Sequence, residues 1–501
     1  MSPKPFYITT AIDYANGLPH LGHALEKVGA DAIARFRRLQ GREVRFLMGM
    51  DEHGQKVAQS AAAAGITPQE WTDGIAAAFS STWKSLNVSN DDFIRTTEER
   101  HKAGVVEMIR RMEANGDLYR GKYAGYYCVG CEAYKSEDEL VDGQCPLHPT
   151  REIQWMEEED WFFALSRFKD RLLALYEEKP TFVQPASRKN EVRKMVEEIK
   201  DISVSRSNLE WGIRWPGEPE HAVYVWIDAL TNYLSATGFP APGYDAIWPA
   251  DLHVIGKDII RFHCIYWPAM LMSAGVAVQE GVWAHGWMTM GGGKISKSSG
   301  VSFEIDEAVR RHGADALRYF ILREIPFDGD GNFTWERFDE RYTSDLANDL
   351  GNLANRTLSM VHRYRQGTVP TGASTGLTHS ARSATAKYLE RMDRYLLHEG
   401  AAAAFTLVSD ANSFVETRAP WKLAKDPEKA EELDDTLASL VDALAVSATL
   451  LYPFMPEKMS QLWEALGSGR SMPLFAELEG LRTEGWKVST GAVLFPKTEI
   501  S

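Results

Sequence analysis

Two histidines separated by two residues stand where a predicted strand and its loop lead into a helix. His20 and His23 lie in Pro19-His20-Leu21-Gly22-His23. The first N–H groups of a helix have no intrahelical partner, so together with two imidazoles they would form an anion site. Gly22 would let a nucleotide approach the backbone closely. Because short motifs recur by chance, a pair of packed or surface histidines is the alternative interpretation of this segment alone.

A second segment, near the middle of the chain, is basic and flanked by glycines. Lys294, Ser296 and Lys297 follow three glycines at 291–293 and precede Gly300. Such a loop can close over a triphosphate and stabilise the charge that develops on the leaving pyrophosphate. A solvated basic turn is the alternative for this loop alone. Both segments occur in the order that a split nucleotide-binding sheet requires, which favours nucleotide chemistry.

The elements around the histidine segment predict a βαβ unit. Phe6–Ala11 is β-rich, a helix is predicted from about His20 to Leu39, and Glu43–Met50 is predicted to be the next strand. Parallel sheets bind ligands beyond the carboxyl ends of their strands. We therefore expect a site at the loop Ile12–Pro19.

The α/β pattern is then interrupted and resumes. From about Gly116 to Glu220 the chain has short aromatic segments and a cysteine cluster, as expected of an inserted domain. Val223–Asp228 and His253–Ile255 are apolar enough for buried strands. We predict that the two halves form one parallel sheet.

Strand signals fade beyond about Leu346. Ala384–Leu397 and Leu433–Leu451 are rich in leucine and alanine and amphipathic. This pattern predicts a helical bundle.

The composition is that of a globular protein. The 501 residues are 44% hydrophobic and 25% charged, which argues against a disordered or collagen-like chain. No run approaches the roughly 18 apolar residues of a membrane span, so we expect no membrane partner. The net charge of −15 means that an RNA partner would need a local basic patch. Four cysteines, three of them clustered, are too few for a disulfide framework, so we expect a cytoplasmic protein.

The cysteine cluster has the spacing of a zinc site. Cys128 and Cys131 form one C-x-x-C pair and, after thirteen intervening residues, Cys145 and His148 form a C-x-x-H pair. Two short ligand pairs at this separation predict a tetrahedral structural zinc site with no open position. Free buried cysteines are the alternative.

The two basic segments resemble the signatures of the class I aminoacyl-tRNA synthetases. His20–His23 matches the HIGH signature, and Lys294–Ser298 matches KMSKS with isoleucine in place of methionine. The resemblance implies adenylate chemistry with Mg²⁺ accompanying ATP, and catalytic roles for both histidines and both lysines. The residues that it places in the ATP site are His20, Gly22, His23, Gly256, Asp258, Lys294, Ser296 and Lys297.

Four further blocks narrow the resemblance to the methionine-specific branch of this class. The blocks are Thr10–Gly17, Gly49–Gly54, Tyr224–Leu230 and Ile255–His263. The resemblance implies L-methionine as substrate and tRNA(Met), including the initiator, as partner, with Asp51 binding the substrate ammonium. Aromatic rings suit a polarizable thioether. The residues that the resemblance places around this side chain are Ile12, Tyr14, Trp226, Tyr233 and His263.

Asp13 departs from the pattern of this branch, in which an apolar residue or proline often precedes the tyrosine of the first loop. A carboxylate so near the expected phosphate site would oppose ATP unless it points outward or pairs with a cation. We therefore assign Asp13 no role.

Two segments of the helical region resemble those with which this branch reads the CAU anticodon. Asn352 and Arg356 are four residues apart, so on a helix they would share a face and hydrogen-bond the edges of splayed bases. Trp421 would stack on one of the bases. A polar helix face and a packed aromatic residue are the alternative.

The predicted fold class is α/β, with a Rossmann-type parallel sheet split by a zinc-binding insert and followed by an α-helical anticodon-binding bundle. A monomer is expected, because the oligonucleotide-binding module that some relatives use for dimerisation is absent after the helices. The predicted domains are the catalytic sheet at 1–115 and 221–290, the insert with the zinc knuckle at 116–220, the stem-contact region bearing the KMSKS-like loop at 291–345 and the anticodon-binding domain at 346–501.

Other functions stay open from the sequence. A class I synthetase for valine, isoleucine or leucine would need a larger hydrolytic insert than the roughly one hundred residues here. A cysteine enzyme would need an open zinc position. A nucleotidyltransferase that never touches RNA leaves the helical region unexplained. A non-catalytic zinc- and RNA-binding relative is disfavoured because both histidines and both lysines are intact.

Overall fold

The structure is a computed structural model that describes residues 4–128, 133–135, 137–146, 149, 151–207, 209–290, 293–294, 305–490 and 493–496. The chain forms two compact units. None of the helices in the described part of the chain combines the length and the hydropathy that a membrane crossing requires. The first unit comprises Met1–Pro19, Val44–Thr82 and Asn90–His285, and the second comprises His20–Glu43, Trp83–Ser89 and Gly286–Ser501.

Strands are concentrated in the first unit and long helices in the second. The strands are β1 (Phe6–Thr10), β2 (Asp13–Tyr14), β3 (Val44–Asp51), β4 (Asp92–Arg95), β5 (Leu118–Cys128), β6 (Ala133–Lys135), β7 (Ile153–Phe163), β8 (Val183–Gln184), β9 (Ile202–Ser203), β10 (Ser205–Arg206), β11 (Arg214–Trp215), β12 (Glu218–Val223), β13 (Leu252–Gly256), β14 (Val282–His285), β15 (Met288–Met290), β16 (Gly293–Lys294) and β17 (Gly331–Phe333). The α-helices are α1 (Leu21–Leu39), α2 (Gln55–Ala64), α3 (Pro68–Ser85), α4 (Glu99–Ala114), α5 (Lys169–Glu178), α6 (Lys189–Glu197), α7 (Val225–Ser235), α8 (Trp267–Ser273), α9 (Ile305–His312), α10 (Ala314–Glu324), α11 (Trp335–Arg341), α12 (Asn352–Arg365), α13 (Gly376–Asp393), α14 (Leu397–Arg418), α15 (Pro420–Leu423), α16 (Ala430–Leu451) and α17 (Pro456–Leu466).

A parallel sheet forms the centre of the first unit. Its strand order is β2-β3-β1-β13-β14-β8, with β4 beside β3. Ile8 of β1 is in register with Phe46 of β3 on one side and with Leu252 of β13 on the other. All of β1 is buried, as in sheets that are covered on both faces. The prediction that strands from both halves of the chain form one parallel sheet is confirmed.

The prediction of a buried strand at Val223–Asp228 is wrong. Val223 is the last residue of β12, which pairs antiparallel with β10 and β11, and α7 begins at Val225. Nearly every residue of α7 is buried, so this helix lacks the one-sided periodicity that identifies an amphipathic helix. A short buried helix and a buried strand therefore give the same apolar pattern in sequence.

The segment predicted as an insert contains an antiparallel sheet, and it also contributes one strand, β8, to the central parallel sheet. The strand order of the antiparallel sheet is β6-β5-β7-β9. The two long strands β5 and β7 pair along their whole length, from Leu118 opposite Phe163 to Cys128 opposite Ile153. The interruption of the α/β pattern that the sequence indicates thus corresponds to a change in sheet type.

Helices dominate the second unit beyond Leu346, as predicted. Leu433–Leu451 lies within α16. The single helix predicted over Ala384–Leu397 is interrupted in the structure. The helix α13 ends at Asp393, and α14 begins at Leu397. Tyr395, between them, has a φ of 58°, which no continuous right-handed helix contains.

A buried charge cluster joins α1 to α10 within the second unit. Nη2 of Arg318 and Nε of Arg35 both donate to Oδ2 of Asp31, at 2.7 and 2.8 Å. Oδ1 of Asp31 accepts from the backbone N–H and the hydroxyl of Ser89 at 2.7 and 2.6 Å. Burial alone would raise the pKa of Asp31, but the two guanidinium groups lower it to about 2. The carboxylate is therefore charged at neutral pH.

Arg318 also binds three backbone carbonyls. Its guanidinium donates to the oxygens of Leu86, Pro453 and Phe454 at 3.1, 2.9 and 3.1 Å. Arg318 is completely buried, so water cannot take its place as the hydrogen-bond donor to these carbonyls. The side chain thus ties α10 both to α1 and to the turn between α16 and α17.

Arg318→Met should lower the free energy of unfolding by about 3–5 kcal/mol, because it removes one partner of a buried ion pair and the donor of three buried carbonyls. Urea unfolding followed by tryptophan fluorescence measures this change. Arg337→Met is the matched control, since the Arg337 side chain is about half exposed and Glu324 keeps Arg341 as a second partner, so the loss should be less than about 1 kcal/mol. An equal loss in both variants would contradict the role of Arg318.

Candidate active site

His20 and His23 cap the first helix with their side chains. The predicted helix is confirmed, with His20 as its N-cap and Leu21 as its first residue. Nδ1 of His20 accepts from the N–H of Gly22 at 3.2 Å, and Nδ1 of His23 accepts from the N–H of His20 at 3.1 Å. The ring centroids are 3.7 Å apart. The imidazoles therefore bind N–H groups that a helix start leaves without an intrahelical acceptor.

These caps set the tautomer of both histidines. A ring nitrogen that accepts a hydrogen bond carries no proton, so each neutral ring holds its proton on Nε2. Each Nε2–H can then donate to an anionic oxygen at a helix N-terminus, where the dipole favours negative charge. Gly22 leaves room for the capping ring, since a Cβ at this position would lie 3.0 Å from Cε1 and Nδ1 of His20. Sequence reasoning, based on nucleotide approach, missed this packing role.

The lysine segment falls mostly outside the described residues. Ser296 and Lys297 are not among them, and Lys294 is placed only by its backbone in β16. Lys294 pairs with Thr289 of β15, and β15 contacts α1. The start of this segment therefore belongs to the same compact unit as the helix that carries the two histidines.

Ile12, Tyr14 and Asp51 meet at the carboxyl ends of β1 and β3. Tyr14 is in register with Asp51, and the N–H of Ala15 donates to the carbonyl of Asp51 at 2.8 Å. Gly49 makes room for Ile12, since a Cβ at position 49 would lie 2.9 Å from Cγ2 of Ile12. This is the edge at which a parallel sheet binds ligands.

Asp13 is buried in β2, in register with Met50. The Asp13 carboxylate therefore does not point outward to solvent, which is one of the two arrangements in which a nearby phosphate site could tolerate it. This position remains without a functional role.

Trp226, Tyr233 and His263 form an aromatic wall together with Phe262. Trp226 and Tyr233 are seven residues apart on α7 and so lie on one face of this helix. Phe262 stacks on Trp226 with centroids 3.5 Å apart and planes 4° apart. His263 lies edge-on to Trp226 at 6.5 Å. Ile12, Trp226 and Phe262 pack against the same buried core of the first unit.

A hydrogen bond of 2.7 Å joins the Tyr233 hydroxyl to Nε2 of His263. Nδ1 of His263 lies 3.0 Å from the carbonyl oxygen of Ile259, which can only accept. In a neutral ring the proton is therefore on Nδ1, and Tyr233 donates to Nε2. His263 lies in the π-helical turn Phe262–Tyr266, a distortion that is frequent at functional sites.

His253 supports Tyr233 from behind, with ring centroids 4.3 Å apart. Nε1 of Trp267 donates to Nε2 of His253 at 3.2 Å, so Nδ1 of His253 donates to the Thr9 hydroxyl at 2.7 Å. Burial lowers the pKa of His253 well below its ordinary value, and the ring is neutral. Sequence reasoning assigned no role to His253 or Phe262. The sequence feature that could have identified His253 is its position as a histidine within the otherwise apolar strand β13.

Gly256 and Asp258 lie at the carboxyl end of β13. Asp258 is exposed, directly after the strand. A Cβ at position 256 would lie 2.7 Å from Oδ1 of Asp258, so glycine lets this carboxylate lie over the backbone. Both residues are thus at the same sheet edge as the segments after β1 and β3.

Comparisons with known proteins identify the family. A family model described as "tRNA synthetases class I (M)" matches residues 6–154 and 148–358. The chain belongs to the methionyl class I tRNA synthetases. It is 44% identical to the methionine–tRNA ligase of Rhizobium meliloti, over 99% of this chain and 98% of that one. It is 42% identical to the enzyme of Caldanaerobacter subterraneus subsp. tengcongensis, over 99% of this chain and 79% of that one.

Solved structures of methionyl-tRNA synthetase from Mycobacterium tuberculosis have the same fold. The complex with methionyl-adenylate is 40% identical in sequence, with a TM-score of 0.94 over 99% of this chain and 100% of that chain. The apo form is 38% identical, with a TM-score of 0.87 over 99% of each chain. The predicted fold class, a class I parallel sheet followed by helices, is confirmed.

In this methionyl class I tRNA synthetase, two of the four predicted zinc ligands are described. Cys128 ends β5 and Cys145 follows a tight turn, and both side chains are buried. The turn is closed by two backbone hydrogen bonds between Val141 and Gln144, and its central residues, Asp142 and Gly143, both have positive φ. Such a turn reverses the direction of the chain within four residues, as a zinc knuckle requires. Cys131 and His148 lie outside the described residues.

Two of the three predicted anticodon residues of this synthetase are in contact. Asn352 and Arg356 are both in α12, and Asn352 is exposed. The guanidinium of Arg356 lies 5.7 Å from the centroid of the Trp421 ring, and it donates to Glu416 at 2.7 Å. Trp421 is held at the start of α15, directly after Pro420. Arg356 and Trp421 thus lie together in the second unit, and Asn352 is about one helical turn from Arg356.

Tyr233→Phe should raise the methionine KM in ATP–pyrophosphate exchange roughly five- to thirtyfold, because Nε2 of His263 loses its donor inside a buried wall. Tyr119→Phe is the matched control. Its hydroxyl donates to the carboxylate of Asp201 at 2.9 Å within the insert, so its methionine KM should not change. An unchanged methionine KM in Tyr233→Phe would contradict the assignment of this wall to the substrate.

Proposed function

We propose that this chain is a methionine–tRNA ligase, which activates L-methionine with ATP to methionyl-adenylate and transfers it to the 3′ terminal adenosine of tRNA(Met), including the initiator. Relatives with that printed name are 42–44% identical over nearly the whole chain. The observations that carry the proposal are the aromatic wall of Trp226, Tyr233 and His263 and, in the same unit, the position of Asp51 at the carboxyl end of β3.

The amino-acid pocket suits methionine by its chemistry. Trp226 and Phe262 offer stacked rings, and a thioether gains about 0.3–1.5 kcal/mol from each good aromatic contact. Ile12 and Tyr14 would complete the apolar surface. Asp51, at the end of β3, would bind the ammonium group through a charge-assisted hydrogen bond and so orient the carboxylate of the substrate.

The ATP site is proposed on the histidine cap and on β13. His20 and His23 would donate through Nε2–H to the α-phosphate as the methionine carboxylate attacks it. Gly256 and Asp258 would contact the adenosine. Mg²⁺, held with the triphosphate, would neutralise part of its charge. The β- and γ-phosphates are assigned to Lys294, Ser296 and Lys297.

A structural zinc ion is proposed in the insert. The buried sulfurs of Cys128 and Cys145, with the tight turn before Cys145, suit a knuckle. Cys131 and His148 would supply the remaining ligands. The ion would hold the end of the insert together and take no part in the reaction. A cytoplasmic location is also proposed, because four cysteines are too few for a disulfide framework, and a monomer is proposed as the oligomeric state.

The first experiment is ATP–pyrophosphate exchange by the purified protein with Mg²⁺ and each of methionine, valine, isoleucine, leucine and cysteine. We expect exchange with methionine alone, because the pocket is aromatic and has one carboxylate for the ammonium. Exchange driven by another amino acid would contradict the pocket assignment. No exchange at all would favour the non-catalytic RNA-binding relative.

Trp421→Ala should raise the KM for tRNA(Met) in aminoacylation roughly tenfold to a hundredfold, because a base loses its stacking partner. Methionine-dependent exchange, which needs no tRNA, should be unchanged. Lys387→Ala is the control, since it removes an exposed positive charge from α13 in the same unit. An equal effect of both substitutions on the tRNA KM would argue against an anticodon role for Trp421.

A further inference from the structure

Asp228 is a buried carboxylate of α7 that lies between two histidines. Its Oδ2 accepts from Nδ1–H of His53 and its Oδ1 accepts from Nε2–H of His101, each at 2.7 Å. All three side chains are buried. Nδ1 of His101 lies 2.9 Å from the hydroxyl of Ser235, so His101 contacts α7 at two points. Sequence reasoning gave none of these residues a function.

His53 belongs to the short segment that follows β3, two residues after Asp51. Trp211 clamps the backbone of this segment: its Nε1 donates to the carbonyl of Glu52 at 2.5 Å, and its carbonyl accepts from the N–H of Gly54 at 3.0 Å. The His53 ring also lies 5.5 Å from the Trp211 ring. The segment can therefore move only if these contacts break.

The side chain of Glu52 anchors the same segment from the end of β4. Nε of Arg95 donates to Oε1 at 2.6 Å, and the Thr97 hydroxyl donates to Oε2. The N–H of Glu52 donates to the Thr96 hydroxyl at 2.9 Å. The residues directly after Asp51 are thus held by β4, by the insert and, through His53, by α7.

We propose that Asp228 is a positioning residue that holds Asp51 in register with the aromatic wall of the methionine pocket. Asp228 lies between Trp226 and Tyr233 on α7, and its hydrogen bond to His53 reaches the segment that begins at Asp51. One carboxylate therefore connects the helix that presents the thioether-binding rings to the segment that presents the ammonium-binding group. This inference rests on the proposed function.

The charge of Asp228 strengthens the connection. Burial alone would raise the pKa of Asp228, but His53 and His101 lower it to about 2. The carboxylate is ionised at neutral pH, so both N–H donors meet a charged acceptor, which gives shorter and stronger hydrogen bonds than a neutral one. An asparagine would keep the shape and lose one of the two acceptor oxygens.

The test compares Asp228→Asn with Asp160→Asn in the full-length protein. Asp160 is an equally buried carboxylate in the insert, where it accepts from the hydroxyls of Ser203 and Ser205. Asp228→Asn should raise the methionine KM in exchange roughly tenfold to a hundredfold while the ATP KM stays within about twofold. Asp160→Asn should change neither KM, even where both variants unfold at a lower temperature.

His53→Asn tests the same connection with a smaller change in the core. It should also raise the methionine KM, and the double variant should be no worse than Asp228→Asn, because both substitutions remove one interaction. If Asp228→Asn does not fold, His53→Asn alone decides. An unchanged methionine KM in either folded variant, an equal rise in Asp160→Asn, or additive effects in the double variant would overturn the inference.

Exchange by the wild-type protein separates this inference from the function on which it rests. A wild-type chain without methionine-dependent exchange would overturn the proposed function and the inference with it. An active wild-type chain whose methionine KM is unaffected by Asp228→Asn would overturn the inference alone.

Discussion

The pairing of β1 with β3 on one side and β13 on the other is the constraint on which the rest of the first unit depends. Both pairings are parallel, so the three strands end at one edge of the sheet. The segments after them are far apart in the sequence, yet they supply Ile12, Asp51 and Asp258 to that edge. An insert can separate β4 from β13 along the chain without disturbing the site, because the register of β1 holds both halves.

Histidines of this chain differ in what they do because the two nitrogens of each ring have different partners. In His20 and His23 the backbone occupies Nδ1, which leaves the proton on Nε2. In His263 a carbonyl fixes the proton on Nδ1, and the ring receives the Tyr233 hydroxyl. His53 donates to a buried carboxylate. One residue type thus caps a helix, packs in an aromatic wall and connects two elements.

Local patterns predicted the parts of the molecule that local physics determines. The strand Phe6–Thr10, the helix Leu21–Leu39 and the long helix α16 have periodicities and caps that appear in the sequence. Val223–Asp228 failed because a fully buried helix has no polar face. In the site, motif spacing pointed to His20, and the family resemblance pointed to Trp226 and Tyr233. Motif spacing could not point to His101 and Asp228, which lie on different helices and meet only through tertiary packing.

The buried charge cluster of Asp31 and Arg318 bears on how this chain can be divided. The helix that begins with the two histidines is joined through Arg318 to the carbonyls of Pro453 and Phe454, directly after α16 of the bundle. A fragment that ends before the bundle would keep the residues proposed for methionine activation. The Arg318 guanidinium would, however, lose the carbonyls of Pro453 and Phe454 as acceptors. The bundle therefore supports the histidine helix, and a domain exchange must preserve the contacts of Arg318 with Asp31, Pro453 and Phe454.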